Sequence, residues 1–236
     1  MTIDDEVQCR LAKASAAFGR LGQQVWNRRG IRLETKIKVY RAAVLTTLLY
    51  GSESWTVYSR HFRKLNPFHT TCLRRILGIK WQDRVPDTEV LDKAGLPSIT
   101  TTLMQTQLRW AGHVARMPDS RLPKQLLFGE LTEGKRNACG PKKRFKDTLK
   151  SSLKAFGLKT SSWEKTAEDR GKWRQTIHTG AKQHELHRQE NANQRRQARK
   201  QATPGEATIP CPHCPRLFRA RIGLSSHLRT HRPTPK

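Results

Sequence analysis

Four residues near the C-terminal end have the types and spacing of a metal-ligand set. They are Cys211, Cys214, His227 and His231, in the pattern Cys-x2-Cys-x12-His-x3-His. Two cysteines this close fit a tight hairpin turn, and two histidines four apart fall on one face of a helix. Together they close a tetrahedral N2S2 shell, the geometry zinc prefers in structural sites. Four protein ligands leave no open coordination position, so the chemistry is structural and not catalytic. His213 lies between the cysteines and could compete as a ligand, but its spacing fits poorly. The alternative is four unrelated Cys and His residues in a tail.

The element that must position these ligands is a ββα unit, expected over residues 208–233. Phe218 lies between the second cysteine and the helix, and Leu224 lies three residues before the first histidine. A unit this short cannot fold on its own core, so one structural Zn2+ is expected to supply its stability. Arg216, Arg219, Arg221, Arg229 and Arg232 are abundant here, and the segment has no acid. In a base-reading finger the helix residues at −1, 3 and 6 face bases. Those positions are Ala220, Gly223 and Ser226, and Ala and Gly cannot form discriminating bidentate bonds. The balance suggests phosphate gripping over base readout. A finger that binds protein is the other reading.

Upstream, residues 1–180 read as an irregular, mostly α-helical region. Ile37, Tyr40, Val44 and Leu48 recur at helical spacing and stop at Gly51. Leu65, Phe68, Cys72 and Ile76 form a second stripe, with Gly78 as a C-cap. A third piece runs from Asp87 to Ala94, with Gly95 after it. Ser98 caps a fourth helix bearing Leu103, Trp110, Ala111 and Val114. Phe145, Leu149, Leu153 and Phe156 form a fifth, closed by Gly157. Ser161 and Glu164 have capping-box spacing before Trp163, Ala167, Trp173 and Ile177. These stripes read as core faces, and the six Trp residues as large apolar contributions to a modest core.

Two segments carry charge and little else. Lys142, Lys143 and Arg144 crowd a Gly/Pro-broken loop that is either solvated or a phosphate contact. Residues 181–207 are almost devoid of apolar side chains and cannot bury a core of their own. They read as a basic polar tether, either an exposed helix or a loose linker.

Across 236 residues, 46 Lys and Arg face 19 Asp and Glu, a net charge of +27 and a pI near 10.9. A chain this basic repels itself unless a polyanion screens it. Nucleic acid, DNA or RNA, is the first candidate, because Lys and Arg release the counterions condensed on phosphates. A membrane is the rival, but no apolar run is long enough to span one, and the start of the chain does not read as a secretory signal. The five cysteines show no disulfide framework. A reducing compartment follows, the nucleus or cytoplasm. Cys72, among apolar neighbours, reads as a core residue and not as a nucleophile.

Three segments, TKIKVYRAAVLTTLLYGSESWTV, FHTTCLRRILGIKWQDRV and LRWAGHVARM, resemble the C-terminal third of a non-LTR (LINE-type) retrotransposon reverse transcriptase. The wording CPHC…FRARIGLSSHLRTH resembles the C-terminal finger of some of its members. The resemblance implies a thumb and connection region that holds template and primer. It does not extend to catalysis, because the aspartate motif of the family's palm is missing, and two-metal chemistry needs paired carboxylates on a positioned strand. The expectation is therefore a truncated copy that binds nucleic acid through zinc and charge, largely without sequence preference, and is not an enzyme. The rivals are an accessory part completed by a palm domain in trans, and a zinc-finger protein-interaction module.

Overall fold

The computed structural model of the protein describes residues 2–129, 143–201 and 207–231. The described chain is mostly helical and divides into two compact units, residues 1–190 and 191–236.

The first unit opens with α1 (Ile3–Arg20), which the apolar pattern had not signalled. Its start is set locally: Thr2 accepts from the Asp5 N–H, and the Asp5 carboxylate accepts from the Thr2 N–H, a reciprocal capping box. A π-helical turn (Gly22–Trp26) follows. Next, α2 (Leu33–Val39) passes through a second π-helical turn (Tyr40–Leu45) into α3 (Thr46–Leu48). Ile37, Tyr40, Val44 and Leu48 are buried along this path, as their spacing predicts. Then come α4 (Ser59–Leu77), α5 (Asp87–Ala94) and α6 (Ile99–Ala115). Gly78 and Gly95 end α4 and α5 at φ 70° and 62°, a left-handed conformation that glycine adopts without steric cost. Ser98 caps α6 by accepting from the Thr101 N–H.

The unit continues with α7 (Leu122–Phe128), α8 (Phe145–Ala155), α9 (Trp163–Glu168) and the part of α10 (Arg170–Gln201) up to residue 190. Two apolar clusters result. One gathers α1 to α5 and the first turns of α6. The other gathers the rest of α6 with α7 to α10. Helix α6 therefore serves both, with Leu103 in the first and Leu108 in the second. Among the described residues no helix is long and apolar enough to cross a membrane.

Three expectations change. The Ser161–Glu164 capping box does not form: α9 starts at Trp163 behind Ser162, with no side-chain cap. The helix expected through Trp163 and Ile177 breaks at Asp169, whose carboxylate instead accepts from Gly171 N–H (2.8 Å) and Lys172 N–H (3.0 Å) to start α10. Finally, the segment read as a tether from 181 is helical to Gln201, and its first part is packed. Ala181 is buried in the second cluster. Glu185 is buried because its carboxylate accepts from Ser98 N–H, Ser98 Oγ and Thr101 Oγ1 (3.2, 2.9 and 2.6 Å), capping α6 from outside. The first compact unit ends at residue 190.

The second unit contains β1 (Ile209–Cys211) and β2 (Cys214–Phe218), paired antiparallel, then α11 (Arg221–Leu228) and a 3-10 turn through Arg229–His231. The register pairs Ile209 with Phe218 and Cys211 with Cys214.

Candidate metal centre

The hairpin places its two cysteines across the turn, and α11 with its 3-10 extension places two histidines one turn apart. One ligand atom from each of Cys211, Cys214, His227 and His231 lies within 4.8 Å of all the others. Cys214 Sγ is 3.2 Å from His227 Nε2, which is 3.0 Å from His231 Nε2. A tetrahedral zinc with ordinary bond lengths would separate such atoms by roughly 3.3–3.8 Å. The four donors are therefore close enough together to hold a metal ion, and their chemistry is compatible with zinc. The His213 N–H lies 3.4 Å from Cys211 Sγ, a backbone donor aimed at a sulfur. The ring of His213 stays outside the four-atom cluster, 5.4 Å from that of His231.

The surroundings suit neutral imidazole. Desolvation first, then the neighbouring His231 and Arg216, push His227 below the usual imidazole range. A metal ligand must give up its proton, so this direction favours coordination. Phe218 packs on His227, ring centroids 4.8 Å apart. Composition gave no hint of this ring contact; only the Phe-to-His spacing could have signalled it. Leu224 is half-buried. Gly223 lies beneath Phe218, where an added Cβ would stand 3.5 Å from the ring.

The expected contact residues fall in several places. Arg216, Arg219, Arg221 and Arg229 are exposed on the hairpin, its junction and the helix, and among the described residues none has a carboxylate partner. Lys142 and Arg232 lie outside the described residues. The Lys143 ammonium sits 5.7 Å from the ring centre of Tyr58. Arg144 is tied locally: its N–H donates to the Asp147 carboxylate (2.8 Å), and its guanidinium lies 3.6 Å from it. Ala220, Gly223 and Ser226 stand at the base-facing positions, with Ala220 as the N-cap of α11. Cys72 is core: it is buried, and burial pushes its thiol up to about 12. Five of the six Trp residues are buried or half-buried, whereas Trp81 is exposed.

No family model and no solved structure matches the chain. The chain is similar to an uncharacterized transposon-derived protein of Caenorhabditis elegans, 28% identical over 145 residues. The match covers 58% of this chain and 52% of the relative, so the chain spans about half the relative's length. The sequence therefore carries a transposon-like segment together with four residues placed to hold a metal ion.

Proposed function

We propose that the protein is a zinc-dependent, non-catalytic nucleic-acid-binding protein of retrotransposon origin. Its helical unit corresponds to the region after the palm in a LINE-type reverse transcriptase, and its C-terminal unit is a ββα Cys2His2 finger. The observation that carries the reading is the convergence of Cys211, Cys214, His227 and His231 on one point. Bound zinc would supply folding energy to a unit with almost no buried apolar side chain. The chain's own residues do the rest. His227 and His231 present Nε2 from consecutive helical turns, and Arg216, Arg219, Arg221 and Arg229 present exposed charge to phosphates. Ala220 and Gly223 give no base discrimination, so affinity comes from charge.

The test joins metal analysis to a salt titration on the purified chain. One zinc per chain is expected, lost in Cys214→Ala. Log affinity for unrelated duplexes and an RNA hairpin should fall linearly with log salt, with a slope of roughly −0.9 per duplex phosphate contacted or −0.7 for single strands. Primer extension with magnesium should stay at background. Zinc undiminished in Cys214→Ala overturns the metal reading, and extension above background overturns the non-catalytic one.

One observation favours a second reading. Leu217 and Ile222 are 55% and 82% exposed on the same small unit, as a protein-binding finger would require. That reading predicts a protein partner held at high salt and nucleic-acid affinity that does not change with salt.

A further inference from the structure

Helices α6 and α10 meet in the helical unit through one inserted side chain, the Trp173 indole, which lies against Gly112. A Cβ at Gly112 would fall 2.0 Å from Trp173 Nε1, so only glycine lets the indole in, and that N–H donates to Leu108 O at 3.1 Å. Arginines stand on either side of this contact. Arg109 and Arg116 lie at i and i+7 on α6 and its C-cap, with His113 between them, and Arg170 and Arg174 at i and i+4 on α10. Together with Trp173 they line one hollow of about 430 Å³. Arg109 also borders a second hollow of about 680 Å³, lined by Lys182 and His178 but also by the carboxylates of Asp92 and Glu185.

Among the described residues no carboxylate lines the first hollow. The nearest acids in sequence are engaged elsewhere. The Asp169 carboxylate caps α10 through Gly171 and Lys172. Glu164 and Glu168 border a different hollow with Lys124. Arg116 is half-buried and steadied by a bond from its guanidinium to Ala167 O. Arg109, Arg170 and Arg174 are exposed and have no carboxylate partner among the described residues. Four guanidiniums around one concavity repel one another, and among the described residues no ion pair offsets that cost. An anion would, and the planar fork of arginine matches phosphate oxygens two at a time. Arg170 and Arg174 are about 5–6 Å apart, and Arg109 and Arg116 about 10 Å apart along the axis, a spread for a run of phosphates and not for one small ion.

We propose that the α6–α10 groove, through Arg109, Arg116, Arg170 and Arg174, is a metal-independent binding site for the phosphates of a nucleic-acid strand. This rests on the nucleic-acid reading above and adds a second site, whose helical spacing is legible in the sequence. Trp173 is 2% exposed, so the groove grips backbone and offers no base stacking.

The experiment uses the full chain with zinc and a fluorescein-labelled 20-nucleotide single-stranded RNA, titrated at several salt concentrations. In Arg109→Gln/Arg174→Gln, affinity should drop about tenfold, and the salt slope should flatten by about two contacts of roughly 0.7 each. Zinc content and far-ultraviolet circular dichroism should not change. Arg109→Lys/Arg174→Lys should recover most of the binding. With the metal removed by chelation, the Gln variant should still bind more weakly than the parent. If the parent binds and the Gln variant matches it, the groove is overturned while the nucleic-acid reading stands. If the parent does not bind, both fall. If tripolyphosphate at equal phosphate concentration displaces the RNA as well as unlabelled RNA does, the site belongs to small polyphosphates and the proposal is overturned.

Discussion

The two units of this chain are stabilised in opposite ways. In the helical unit, apolar side chains from ten helices make two buried clusters. In the hairpin–helix unit, Cys211 is the one apolar residue that is fully buried among the described residues, while Phe218, Leu224 and Leu228 are only half-buried. Cys211 is also a candidate metal ligand. One unit can therefore fold on burial alone, and the other has too little surface to bury. A metal ion that cross-linked the hairpin to the helix would replace the missing core.

The contrast breaks most sharply if the ligands are removed. In Cys214→Ala, or after chelation, residues 208–231 should lose their structure, since structural zinc contributes roughly 10–16 kcal/mol in such peptides. Nuclear magnetic resonance should show collapsed dispersion there, with the helical unit's resonances unmoved. A second unit that stays ordered without metal would remove the distinction.

The matching loss in the helical unit is Trp173→Ala. It empties the seat against Gly112 and deletes the bond to Leu108 O. About 3–5 kcal/mol of stability should go, measured by urea unfolding, while zinc content stays the same.

A gentler probe is pH. Tyr40 Oη donates to the neutral His69 ring at Nδ1 (2.8 Å), the other ring nitrogen lies 3.3 Å from Pro97 O, and burial holds His69 down to about 4. The unfolded chain takes up that proton near the ordinary value of about 6.5. The contribution of neutral His69 is complete above about 6.5 and is lost as pH falls through about 4. Stability of the helical unit should decline by on the order of 2–3 kcal/mol across that window. In His69→Gln the decline should largely vanish.

The smallest expected effect is at Glu185. Burial pushes its carboxyl up, but bonds from Arg188, Thr101 and Ser98 pull it further down, below the usual carboxylate range. Its stabilisation is therefore present above the ordinary carboxylate value and is lost as pH falls below it. Glu185→Gln should cost about 1–2 kcal/mol and raise hydrogen exchange in the stretch of α10 around residue 185. Unchanged exchange would mean that this part of α10 does not depend on the cap.

What the sequence by itself determined is what local chemistry determines. The ligand spacing near the C-terminus needs only a turn and a helix to bring four donors together. The glycines at 78, 95 and 157 mark helix ends because each takes a positive φ that other residues avoid. The buried stripes of α2 to α6 follow from a period of 3.6. Long-range pairing decided the rest. A window from 181 onward reads as unable to pack, since apolar content is judged one segment at a time. Yet Glu185 is buried by groups 84 and 87 positions away, which satisfy its charge. Asp169 likewise splits an apparently continuous helix, because its carboxylate is worth more as a cap for α10 than as a helical residue. Trp173 and Trp81 look equivalent in sequence. One is sealed by a glycine on another helix, and the other has no such partner and stays exposed. Arg109 and Arg174 are ordinary surface cations in the linear sequence, and they share a hollow because the Trp173 indole of α10 seats on α6 at Gly112.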